Sequence, residues 1–138
     1  MSKIIITPLG TISPYTKGNM NCPGFLVEYN NKKIILDCGN GITRLLNFPS
    51  DLKDLNVIIT HYHKDHFGDL GALQYASYVY HNLGLLDKKI KIYLPKNDIG
   101  FNKASITSNN ESYSDYYDID NSYSFSIDDL NITFEDNN

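Results

Sequence analysis

The 138-residue chain has two cysteines, one arginine (Arg44) and no tryptophan. Cys22 and Cys38 form no CxxC pair, which speaks against a disulfide framework or a cysteine-zinc module and makes a reducing cytoplasm the expected compartment. Basic residues are in the minority, 12 Lys+Arg against 16 Asp+Glu, for a net charge of −4. That balance offers no basic face for non-specific nucleic-acid binding, so RNA is not supported as a partner by charge. No apolar run approaches the roughly 18 residues that a membrane-spanning helix needs, and no membrane partner is expected. At the N-terminus, Ile4-Ile5-Ile6 is cut short by Thr7-Pro8-Leu9-Gly10, too soon for a signal peptide. No repeat recurs at a period of about 20–50 residues, which sets aside solenoids and propellers. What remains is ordinary globular composition, 41% hydrophobic, with 11 Tyr and 6 Phe.

Local patterns predict strands first, then strand–helix alternation, then strands again. Lys3–Thr7, with three β-branched residues in a row, reads as a buried strand. Gly24–Tyr29 and Lys33–Asp37 read as a hairpin around Asn30-Asn31, a pair that tolerates positive φ. Ile42, Leu45 and Leu46 suggest a short helix ending near Pro49. Val57–Thr60 is a further apolar strand, and the spacing of Leu70, Leu73, Ala76, Tyr80 and Leu83 predicts a helix capped by Asp69. Ile90–Leu94 alternates as a strand does. Residues 97 to about 120, rich in Ser, Asn, Asp and Tyr, read as a long loop, and Ser122–Ile127 and Leu130–Glu135 as two last strands. The order predicts a mixed α/β layered architecture in one domain, residues 1–138.

Three of the four histidines fall within six residues, in Thr60-His61-Tyr62-His63-Lys64-Asp65-His66. Neutral imidazole suits zinc and similar divalent ions, and Asp adds an anionic oxygen. The stretch follows a strand, so while the chain is extended His61 and His63 point to one side and can share an ion. Once the chain coils, Asp65 and His66 reach a neighbouring position and can hold a second ion. His81, alone on a helix, reads as a surface or packing residue. Tyr113-Ser114-Asp115-Tyr116-Tyr117-Asp118 could stack on a substrate's bases, although polar-loop packing explains it as well.

The HxHxDH pattern, the upstream Leu36-Asp37-Cys38-Gly39-Asn40-Gly41 and the downstream Phe67-Gly68-Asp69-Leu70-Gly71 together resemble the metallo-β-lactamase fold hydrolases, in their ribonuclease Z-like and phosphodiesterase-like branch. The resemblance implies an αββα sandwich and two divalent metal ions, zinc before manganese. It implies His61 and His63 on the first ion and Asp65 and His66 on the second. Asp65 would also take a proton from, or orient, the attacking water, and Asp37 would buttress a ligand from behind. The expected substrate is a small-molecule or nucleotide phosphodiester; thioester, lactone and β-lactam hydrolysis use the same loop. The family's further ligands, a third His, a bridging Asp and a final His, have no counterpart in this sequence. The chain is therefore expected to be the N-terminal portion of such a domain. As given, an incomplete, inactive metal-binding module is the alternative to the enzyme, and its unpartnered face leads one to expect a homo-oligomer or a poorly soluble chain.

Overall fold

The computed structural model describes residues 3–97, 100 and 113–135. Among the described residues, eight strands and one long α-helix follow one another as β1 Ile4–Gly10, β2 Gly24–Tyr29, β3 Lys32–Leu36, β4 Leu55–Ile58, α1 Leu70–Asn82, β5 Ile90–Pro95, β6 Ser114–Ile119, β7 Ser124–Ile127 and β8 Leu130–Thr133. The first six strands form one sheet in the order β1-β2-β3-β4-β5-β6, and β7 and β8 form a separate hairpin. β1 to β3 pair antiparallel, while β3-β4, β4-β5 and β5-β6 pair parallel. The turn into β3 uses Asn30 and Asn31 at φ 50° and 63°, as the sequence predicts.

Strict alternation on the central strands divides the interior in two. On one face Ile35, Val57, Ile59, Ile92 and Leu94 pack against Leu70 and Leu73 of α1. On the other, Ile34, Ile58 and Tyr93 meet Ile127 of the β7-β8 hairpin. A strand buried on both faces reads as a near-continuous apolar run, which is why β4 was legible, whereas β5 shows as alternation around the exposed Lys91. α1 presents Leu70, Leu73, Gln74 and Ser77 inward, at positions i, i+3, i+4 and i+7.

Four expectations are corrected. The first half of β1 is not buried: Ile4, Ile5 and Ile6 are 51, 53 and 61% exposed, because the strand lies at the sheet edge and the core reaches it only near Leu9 and Gly10. The segment read as a loop through residue 120 contains β6, formed by in-register pairing from Ile90↔Ser114 to Pro95↔Ile119; residues 98–99 and 101–112 of that segment lie outside the described residues. The turn over Ile42–Leu45 is a 3-10 rather than an α-helical one. Asp69 stands at the N-cap of α1, but its carboxylate makes no cap bond. Instead it accepts from the Thr43 backbone N–H at 3.0 Å and the Thr43 hydroxyl at 2.8 Å, tying the 3-10 turn to the start of α1. Among the described residues, no helix is long and apolar enough to cross a membrane.

Candidate metal centre

The parallel arrangement brings the carboxyl ends of β3 and β4 side by side, the position at which open α/β sheets place their ligands. Asp37 follows β3 directly, and its N–H donates to the Ile58 carbonyl at 2.8 Å. Its φ of 59° turns the chain sharply off the strand. The carboxylate is thereby aimed at the segment leaving β4. Cys38 N–H bonds the His66 carbonyl at 2.8 Å, and Asp69 N–H bonds the Cys38 carbonyl at 3.0 Å, so the acidic turn and the histidine loop are laced together through their backbones.

Asp37, buried, is the hub. Its Oδ1 accepts from the Thr60 N–H at 2.7 Å and the Thr60 hydroxyl at 3.0 Å. Its Oδ2 lies 2.8 Å from the same hydroxyl and 2.7 Å from His66 Nδ1. The carboxylate can only accept, so His66 Nδ1 carries the proton. The Thr60 hydroxyl, which has one proton, gives it to the anionic acceptor. His61 Nδ1, 2.9 Å from the Thr60 oxygen, is then the donor there. The network thus assigns both rings the tautomer whose Nε2 carries a free lone pair.

The three imidazoles form one cluster. The ring centroid of His61 is 4.6 Å from that of His63, edge-on, and 4.0 Å from that of His66. Ligand atoms of Asp37, His61 and His66 lie within 4.8 Å of one another. His63 does not join that trio; it is exposed and packs on the outer side of His61. Asp65 places Oδ2 3.5 Å from His66 Nε2. Burial lowers the His61 pKa, and the neighbouring His66 and His63 rings push it the same way against the pull of Asp37. Both effects favour the neutral form of the ring, the form that a cation requires, against the pull of Asp37 and Asp65. Two free Nε2 lone pairs, a third imidazole and an adjacent carboxylate are a donor set that fits a divalent ion.

The sequence pattern paired His61 with His63 and Asp65 with His66. The structure gathers all four on one 3-10 turn and loop, and adds Thr60 as the link between Asp37 and His61. Thr60 was missed as a site residue because a strand-end hydroxyl usually serves the backbone alone. His81 lies apart, stacked on Tyr113 at 3.6 Å with Nδ1 2.8 Å from the Leu86 carbonyl. Within the Tyr-rich segment, Gln74 donates to the Tyr116 hydroxyl at 2.6 Å on the helix side, and Tyr117 stacks on Tyr93 on the hairpin side.

The family model described as "Anti-Pycsar protein Apyc1" matches residues 4–134. The chain belongs to that family. Among curated relatives, the "Probable metallo-hydrolase YhfI" of Bacillus subtilis is 30% identical over 90 residues, covering 64% of this chain and 36% of the relative. A "Ribonuclease Z" of Saccharolobus solfataricus is 35% identical over 97 residues, covering 68% of this chain and 30% of the relative. The crystal structure of the metallo-β-lactamase fold protein YhfI superposes with a TM-score of 0.74 at 23% identity, covering 90% of this chain and 48% of that one. Human tRNase Z, short form, superposes with a TM-score of 0.55 at 24% identity, over 84% of this chain and 44% of that one. The fold is thus that of the metallo-β-lactamase superfamily, and the matched relatives are hydrolases of it. The chain spans about a third of the length of these curated relatives (36% and 30%) and about half that of the solved structures (48% and 44%).

Proposed function

We propose that this chain carries the metal-binding loop of a metal-dependent phosphodiesterase similar to ribonuclease Z. The observation that carries the reading is the Asp37–Thr60–His61–His66 network, which leaves two imidazole lone pairs free beside Asp65 at the carboxyl end of a parallel sheet. His61, His63, Asp65 and His66 are the proposed ligands of two divalent ions, zinc first and manganese second. Such ions, when bound, supply a water whose pKa falls toward about 7 and positive charge against the reacting phosphate. Asp37 positions rather than touches: it fixes the His66 ring directly and the His61 ring through Thr60. Asp65 is the proposed catalytic carboxylate, orienting the attacking water and taking its proton at Oδ2.

A cleft of about 620 Å³ opens beside Thr60, where Pro95 and Ile119 end β5 and β6 and Lys96 stands at the rim. Asp120 and Glu135 also line it, and Thr60 is its link to the histidine loop. A nucleotide or other small phosphodiester fits a chain of net charge −4 better than a long polyanion does. The reducing cytoplasm is the proposed compartment, in keeping with two free, buried thiols. A homo-oligomer belongs to the proposal too, since Ile4, Ile5 and Ile6 present apolar surface on both faces of the edge strand; a clean monomer by light scattering at high concentration refutes that part.

The test of activity is hydrolysis of bis(p-nitrophenyl) phosphate by protein loaded with zinc or manganese. Turnover that His66→Ala removes, with the melting temperature held, supports the reading. Metal bound without turnover by the wild-type protein refutes the catalytic assignment and leaves a metal-binding module.

A further inference from the structure

A second groove lies at the opposite end of β4 from the histidines. It has a volume of about 380 Å³ and runs between the central sheet and the β7-β8 hairpin. Its charge is opposite to that of the whole chain. Four of the chain's 12 basic residues, Lys32, Lys88, Lys89 and Lys91, line it, against Asp54 and Asp128. Three of the lysines are engaged. Lys32 pairs with Asp128 at 2.8 Å, Lys88 with Asp54 at 3.8 Å and Lys89 with Asp115 at 3.8 Å. Lys91 has no ion pair among the described residues, and its register partner across β6 is the Asp115 that Lys89 already holds.

Alternation along β5 sets Lys91 and Tyr93 on the same, hairpin-facing side. There Tyr93 is the middle of a three-ring stack. Phe125 of the hairpin lies parallel to it at 4.2 Å and 5°, and Tyr117, on the neighbouring β6, at 5.0 Å and 20°. The Tyr93 hydroxyl is fixed by Asn56 at 3.1 Å, so the stack is anchored at its centre. Tyr117, half-buried, ends the stack inside the groove. A cation without an ion pair and the end of an aromatic stack lining one groove are the combination that takes a phosphate and a flat heterocycle together, the phosphate by charge-assisted hydrogen bonds and the base by stacking.

We propose that this groove is a second binding site, separate from the metal centre, for a nucleoside monophosphate group, with its phosphate on Lys91 and its base on Tyr117. The site stands whether or not the histidine loop performs hydrolysis.

The test is a titration of chelator-treated protein, followed by backbone amide NMR at constant ionic strength, with AMP, inorganic phosphate and adenosine as separate probes. Chelation keeps phosphate from reaching the histidines through a metal. AMP is expected to shift Lys91, Tyr93, Tyr117 and Phe125, and to bind more tightly than either inorganic phosphate or adenosine. Lys91→Gln should weaken AMP by about tenfold, the loss expected for one charge-assisted hydrogen bond. Tyr117→Leu should weaken AMP while leaving inorganic phosphate unchanged. Lys91 is exposed, so its variant should keep the wild-type spectrum and melting temperature. AMP shifts confined to Thr60–His66, no shifts at millimolar AMP, or equal affinity of Lys91→Gln and wild type would each overturn the proposal. Equal responses to AMP and inorganic phosphate would overturn the assignment of the base to Tyr117.

Discussion

Asp37→Asn is the sharpest perturbation of the site, because it changes charge and proton direction while keeping shape. Asparagine accepts the left-handed φ of 59° readily, so the backbone turn should survive. Its Oδ1 can still receive the Thr60 N–H. Its Nδ2 now faces His66 Nδ1, 2.7 Å away in the native structure, and must donate. The His66 proton then moves to Nε2, where Asp65 Oδ2 at 3.5 Å is placed to accept it. The lone pair that a metal needs is lost from that atom. Two charge-assisted bonds, at 2.7 Å to Thr60 and 2.7 Å to His66, become neutral ones. With charged bonds worth about 1.5–3 kcal/mol and neutral ones about 0.5–1.5, the change removes about 2 kcal/mol. That corresponds to about thirtyfold in zinc affinity, within the range of about 10–100-fold measured when carboxylates behind metal-binding histidines are altered. Competition with a chromophoric chelator at pH 7.5 measures it. Zinc affinity of Asp37→Asn within twofold of wild type, with the fold intact, would refute the tautomer argument.

Other substitutions test the packing. Leu73→Ala, in the face that α1 buries, should cost about 2–5 kcal/mol, seen as a lower urea midpoint at unchanged slope. Gly39→Ala should be poorly tolerated, because its Cβ would be driven into the Asp65 carbonyl oxygen and to 2.7 Å from the Cys22 backbone; the readout is soluble yield and zinc affinity, both falling together. Burial raises the Cys38 thiol well above its ordinary pKa and raises Cys22 as well. Neither should react with a disulfide reagent at pH 8 until the protein is unfolded, when both should. A raised thiol pKa favours the fold fully below the unfolded value and loses that contribution as pH rises above it, so the urea midpoint should decline in the alkaline range.

The parts of the fold that sequence announced are those whose burial is set by their own residues. β4 is buried on both faces, β3 and β5 keep apolar runs or alternation of their own, and α1 keeps its helical stripe, so each was legible alone. β6 was not. Ser-Asp-Tyr-Tyr-Asp-Ile has no clean alternation, and it is a strand because β5 offers it an edge and because Tyr116 and Tyr117 find partners on opposite faces. β1 failed for the converse reason: its pattern predicts a strand correctly but cannot say whether anything covers it. At the site, the period-two rule brought His61 and His63 together, whereas the tie between Asp37, Thr60 and His66 spans 23 to 29 residues and depends on the parallel pairing of β3 with β4.

That parallel pairing has a practical consequence. The donor groups are oriented by hydrogen bonds within the chain, and the bonds that fix the two rings use Nδ1 of His61 and His66, not the Nε2 atoms that face an ion. The loop should therefore keep its shape when emptied, unlike small zinc modules that unfold under chelation. Stripping the ion should lower the melting temperature only by the free energy of ion binding, without unfolding the loop, so the same preparation can be reloaded with one cation after another. Differences among zinc, manganese and other ions would then report the chemistry of the ligands rather than a folding equilibrium.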